Sequence, residues 1–124
     1  MRTILVVEDD PNMAEMVELA LLRVPGVEVR CFPNVEQARA RLASAEQFDV
    51  LITDVHLPGE DGLALVASVR AMPARCGLPV IVTTSSREPA LRQRAEAMGV
   101  LLFLEKPWSA GRLCDTIHSL FNET

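Results

Sequence analysis

A chain of 124 residues is long enough to close one ordinary domain around its own core without disulfides or structural metals. Its formal net charge of −5 leaves no general basic field for a phosphate backbone, so direct nucleic-acid binding is not expected. No apolar run approaches membrane-spanning length. The opening MRTILVVEDD turns acidic by residue 8 instead of reaching a small-residue cleavage site, so a cytoplasmic protein with no membrane contact is expected.

Short β-branched apolar runs alternate with longer amphipathic stretches, the pattern of βα units around a parallel sheet. The first strand is expected at Thr3 to Val7. A helix then carries Met13, Val17, Ala20, Leu21 and Val24 on one stripe, with Asp10 as its cap, Pro11 in its first turn and Pro25-Gly26 as its stop. A second strand, Val27 to Cys31, precedes a helix capped by Asn34 with Val35, Ala38 and Leu42 inward. The third strand, Val50 to Thr53, is apolar without alternation and therefore reads as buried on both faces. Asp61 or Gly62 opens the next helix, with Leu65, Val66, Val69 and Met72 inward. After a fourth strand, Val80 to Thr83, the stretch Glu88 to Met98 has only Leu91, Ala95 and Met98 for a stripe, while Arg87, Arg92 and Arg94 read as a solvated face. This helix is expected to be the least firmly packed. Leu101 to Leu104 forms a fifth strand, and Ser109 caps a last helix with Leu113, Ile117, Leu120 and Phe121 inward. Cys31, Cys76 and Cys114 are odd in number and unpaired by any metal or redox spacing, and are expected to be reduced and mostly buried.

Open parallel sheets of this kind bind ligands beyond the carboxyl ends of their strands. The polar residues at those ends are Glu8-Asp9-Asp10, Asp54, Thr84 and Lys106. Carboxylates gathered in one crevice repel one another by roughly 4 kcal/mol per pair at about 4 Å and an effective dielectric of 20, so they call for a cation. Lys106 supplies one positive charge. Mg²⁺, which takes one or two carboxylates, waters and a phosphate oxygen, supplies the rest. A carboxylate nucleophile beside a metal, a lysine and the Thr84 hydroxyl is chemistry suited to phosphoryl transfer.

The ordered segments ILVVEDD, DVHLPGEDG, PVIVTTS and FLEKPW make the whole chain resemble a response-regulator receiver domain of the chemotaxis type, from two-component signalling. The resemblance implies a single receiver domain over residues 1–124, with a flavodoxin-like, doubly wound α/β fold and strand order 2-1-3-4-5. It implies Asp54 as phospho-acceptor and Glu8, Asp9, Asp54 and the backbone carbonyl of His56 as the Mg²⁺ set, with Mn²⁺ as an alternative ion. Thr84 and Lys106 would bind the phosphoryl group, Thr84 and Phe103 would form the switch, and Lys106-Pro107 would be a cis peptide. The phosphoryl group would come from a sensor histidine kinase or a phosphotransfer protein. A downstream protein target, or a second copy of the chain, would read the fourth-helix, fifth-strand and fifth-helix face. Such a domain catalyses only its own phosphorylation and slow dephosphorylation and is not otherwise an enzyme.

Three alternatives share parts of this pattern. A Mg²⁺-dependent aspartyl-phosphate phosphatase would need a DxD-led motif, whereas His56 stands two residues after Asp54. A flavodoxin-like cofactor binder would need a phosphate-cradling loop where Glu8-Asp9-Asp10 stands. A phosphorylation-independent scaffold would have lost one of the site residues. On the signalling side, Leu101 or Leu102 is expected to share an apolar docking patch with Trp108. His56 and His118 read as surface residues, and little chain remains after Phe121 for an output domain.

Overall fold

Alternating apolar runs and capped amphipathic stretches become five strands and five helices in the computed structural model, which describes residues 1–122. They run β1 (Arg2–Val7), α1 (Pro11–Leu21), β2 (Val27–Phe32), α2 (Val35–Leu42), β3 (Val50–Asp54), α3 (Gly62–Ala71), β4 (Val80–Thr84), α4 (Pro89–Ala97), β5 (Leu102–Glu105) and α5 (Ala110–Asn122). The strands form one all-parallel sheet in the order β2-β1-β3-β4-β5, as expected. Period-two alternation sends Leu5, Val7, Leu51, Val82 and Phe103 to the face covered by α2, α3 and α4. Ile4, Val6, Ile52, Ile81 and Leu104 face α1 and α5. The two central strands β3 and β4 are buried at every residue, whereas the edge strand β2 is largely half-buried. At about 1.5–3 kcal/mol per large side chain buried, these two layers supply the main driving force for folding.

The helix starts follow local chemistry. Asp10, Asn34 and Asp61 accept from the backbone N–H of Asn12, Gln37 and Ala64 at 2.9, 2.8 and 2.8 Å, and Ser109 accepts from that of Arg112 at 3.2 Å. The start of α4 differs: Glu88 makes no capping bond and only Leu91 and Ala95 are buried along it.

Several boundaries depart from the sequence reading. Asp54 and Thr84 are the last residues of their strands, because each remains within a sheet register. The fifth strand starts one residue later than expected. The Leu101 N–H reaches the Val80 carbonyl at 2.7 Å, but its side chain is 47% exposed. The first helix ends at Leu21, and Val24 is buried in the turn that follows. Cys76 is exposed and Cys31 half-buried, so only Cys114 is a buried thiol. Of the two leucines of which one was expected beside Trp108, Leu102 packs partly buried with Trp108 against the α1/α5 layer, while Leu101 lines a groove with Leu120.

Two arginines brace the end of the sheet remote from the acidic residues. Arg70 donates to four carbonyls, those of Met98, Cys76, Leu78 and Gly99, at 2.8, 3.1, 2.7 and 3.1 Å. It thereby ties the end of α3 to the loops entering β4 and β5. Arg75 does the same for the carbonyls of Leu42, Ser44 and Glu46, with its guanidinium over the Phe48 ring. Replacing Arg70 by Met leaves four carbonyls without their charged donor. Urea unfolding of Arg70→Met is expected to show a loss of about 2–3 kcal/mol.

Candidate functional site

The strand order makes β1 and β3 neighbours, so the residues leaving them converge on one crevice. Glu8, immediately after β1, and Asp54, the last residue of β3, are 7% and 6% exposed, well inside the range where a carboxylate needs a partner. Lys106 provides it. Its ammonium lies 2.9 Å from Asp54 Oδ2 and 3.2 Å from Glu8 Oε1, reaching across the end of β4 from the end of β5. The other oxygens are also held: the Asp10 N–H donates to Glu8 Oε2 and the His56 N–H to Asp54 Oδ1, both at 3.2 Å. The Lys106-Pro107 peptide is cis, as expected.

Asp9 is different in kind. It is exposed, and among the described residues its carboxylate receives no hydrogen bond or ion pair. Glu8, Asp9 and Asp54 each offer one oxygen, all within 4.8 Å of one another, and no backbone N–H among the described residues donates to the His56 carbonyl. Hard oxygen donors with one carboxylate uncommitted fit a small divalent ion.

Thr84 is fully buried at the mouth of β4, on the face shared by Val82 and Phe103. Its hydroxyl accepts from the Ser86 N–H at 3.0 Å, which leaves the hydroxyl proton available to a further acceptor. Phe103 lies inward, 5% exposed. His56 and His118 are exposed, as expected.

Burial raises the Glu8 carboxyl above its ordinary range, and the charge of Asp54 adds to this; the Asp10 N–H and Lys106 pull the other way without cancelling it. Burial by itself would lower Lys106. The hydrogen bond and charge of Asp54, joined by Glu8, outweigh it and hold the ammonium above the ordinary lysine range. The cluster is therefore charge-balanced chiefly at Asp54 and strained at Glu8.

Two supports escaped the sequence reading. Gly62 packs so tightly that a Cβ there would stand 1.9 Å from the Asp54 carbonyl oxygen and 2.8 Å from Thr53 Oγ1. Thr53 itself donates to that carbonyl at 2.9 Å, and the Gly62 N–H donates to the Val55 carbonyl at 2.8 Å. Glycine is thus needed for the start of α3 to close over the end of β3. The second support is Arg39, which grips both oxygens of Glu60 at 2.8 and 2.6 Å and bonds Ser68 on α3, tethering the loop that follows Asp54. Gly62 was legible only as part of a helix start, and Arg39 to Glu60 is a distant pair with no local signal.

Acid residues from β1 and β3 with a lysine from β5, at the carboxyl ends of a 2-1-3-4-5 parallel sheet, define a flavodoxin-like phosphoryl-handling architecture. The chain belongs to the response regulator receiver domain family, whose family model matches residues 4–118. It is 34% identical over 119 residues to the sensory/regulatory protein RpfC of Xanthomonas campestris pv. campestris, covering 94% of this chain and 16% of that protein. It is also 34% identical over 113 residues to the response regulator protein PilR of Pseudomonas aeruginosa, covering 91% of this chain and 24% of PilR. The chain thus spans a quarter or less of these two relatives. Among solved structures, a putative response regulator from Chloroflexus aurantiacus matches with a TM-score of 0.87 and 33% identity, over 98% of both chains. The chemotaxis protein CheY4 of Vibrio cholerae matches at 0.84 and 29%, over 97% of this chain and 98% of CheY4.

A raised Glu8 pKa means that stability owed to the protonated form is complete below the unfolded value and is lost as pH rises through the folded one. In EDTA at pH 7.5, Glu8→Gln is expected to raise the Tm above that of wild type. Scanning calorimetry across pH should show the gain vanish by about pH 4, where the unfolded carboxyl is itself protonated. Gly62→Ala is expected to cost about 2–3 kcal/mol, read from the same thermograms.

Proposed function

We propose that residues 1–124 act as one phospho-accepting receiver in which Asp54 is the acceptor. The observation that carries this reading is the Lys106 ammonium 2.9 Å from Asp54 Oδ2. It lies beside an acidic trio whose oxygens fall within 4.8 Å of one another. An oxygen of Asp54 attacks the phosphorus of a phosphohistidine on a sensor kinase or phosphotransfer protein. The P–N bond breaks, its electron pair leaves with the imidazole, and an acyl phosphate forms on Asp54. Glu8, Asp9, Asp54 and the His56 carbonyl would hold Mg²⁺ or Mn²⁺, which when bound neutralises charge between the acceptor and the incoming phosphoryl oxygens. Lys106 pairs with the phosphoryl oxygens, and the Thr84 hydroxyl proton, uncommitted while its oxygen accepts from Ser86, completes their shell. Water returns the Asp54 carboxylate by slow attack on phosphorus, so the domain turns over only its own phosphate.

The added charge and acceptor oxygens recruit Thr84 and Lys106 and bias the face built from Phe103, α4 and α5, where a downstream protein or a second copy of the chain would read the state. No helix among the described residues is long and apolar enough to cross a membrane; a cytoplasmic site of action accords with phosphoryl transfer from a kinase.

Incubation with acetyl phosphate and Mg²⁺, followed by intact-mass measurement, is expected to add one phosphoryl group to wild type. Asp54→Ala should gain none and EDTA should block the reaction. Lys106→Ala should slow labelling by roughly 10²-fold, as expected for loss of an electrostatic contact to the transferring group. Equal labelling of Asp54→Ala would move the acceptor elsewhere.

A further inference from the structure

The helix that buries the fewest side chains carries an arginine that reaches back to the sheet. On α4, which buries only Leu91 and Ala95 and starts without a side-chain cap, the Arg92 guanidinium lies 4.7 Å from the centre of the Phe103 ring. The same guanidinium stands 3.7 Å from Glu105 Oε1. Phe103 and Glu105 are two apart on β5, so they present side chains to one face, and they pair with Val82 and Thr84 of β4. The next residue, Lys106, donates its N–H to the Thr84 carbonyl at 2.7 Å. One side chain thus bridges α4 to the inward ring and to the strand position beside Thr84.

We propose that Arg92 is a positioning residue, a latch that holds the Phe103 ring inward and α4 against β5. This deepens, and rests on, the reading of Thr84 and Phe103 as the switch. A cation over a ring face is attracted by the ring quadrupole, and the carboxylate of Glu105 fixes the guanidinium in register with the ring. The latch keeps one half of the switch already set, so that phosphoryl transfer has only to redirect the Thr84 hydroxyl. Without it the inward ring becomes a fraction of the population, and the apparent reactivity falls to that fraction of its former value.

The test is a double-mutant cycle in the full chain with Arg92→Gln and Phe103→Leu, with Glu105→Gln as a variant that frees the guanidinium without touching the core. Two quantities are read: the ring resonances of Phe103 without any phosphoryl donor, and the initial rate of Mg²⁺-dependent labelling by acetyl phosphate. Arg92→Gln is expected to shift the ring resonances toward those of an exposed phenylalanine and to slow labelling about two- to fivefold. Arg92→Lys should restore part of both, and Glu105→Gln should give a smaller shift in the same direction. In the Phe103→Leu background, Arg92→Gln should leave the rate unchanged. Ring resonances unmoved by Arg92→Gln, or a rate effect of equal size in both backgrounds, overturns the latch. A wild-type protein that accepts no phosphoryl group defeats the reading of the site instead, and the ring resonances then decide on the latch alone.

Discussion

Everything at the acidic crevice depends on one ammonium group placed between two carboxylates that the fold has taken out of water. Glu8 and Asp54 are each more than nine-tenths buried, and two such charges side by side oppose folding by several kcal/mol unless a cation stands against them. Lys106 meets both within 3.2 Å. The strand order explains why the residue is a lysine. β1 and β3 are adjacent, so their acids meet directly, but β5 is separated from β3 by β4 and only a long, flexible stem spans that gap. Asp9, by contrast, remains exposed, and among the described residues its carboxylate has no partner.

The two ends of the sheet do different work. At the end remote from the crevice, Arg70 and Arg75 each gather three or more backbone carbonyls and lock loops that carry no chemistry. At the crevice, backbone groups are packed so that one side chain is aimed: Gly62 sits against the Asp54 carbonyl, and Thr53 donates to that same oxygen. A tightly packed floor thus lies beneath the buried carboxylates, with the exposed Asp9 at their rim. Helix α4 is held by two buried side chains, by Arg92 over the Phe103 ring and by the Arg70 bonds to the Met98 and Gly99 carbonyls at its end.

The strand and helix pattern was legible because it is local. The short runs VLIT and VIVT read as strands buried on both faces, and Asp10, Asn34 and Ser109 cap the helices expected of them, with Asp61 the cap where Asp61 or Gly62 was expected. The weakness of α4 was also visible, in its thin apolar stripe. Where the reading failed, the cause was a distant partner. Cys76 was expected to be mostly buried but lies exposed in a turn whose backbone is held by Arg70, and Arg92, exposed as expected, makes an unforeseen contact with the Phe103 ring. Which of Leu101 and Leu102 would stand beside Trp108 was not legible locally; Leu102 packs partly buried in the same layer as Trp108, and Leu101 is exposed.

By itself, then, the sequence determined the order of elements, their caps, and which polar residues stand at the strand ends, since propensity, periodicity and capping act over a few neighbouring residues. Only the tertiary structure decided that Lys106 meets Glu8 and Asp54 and that Gly62 has no room for a methyl group. Those contacts join residues up to 98 positions apart. Their distances are set by sheet register and helix packing, which no local stretch of chain encodes.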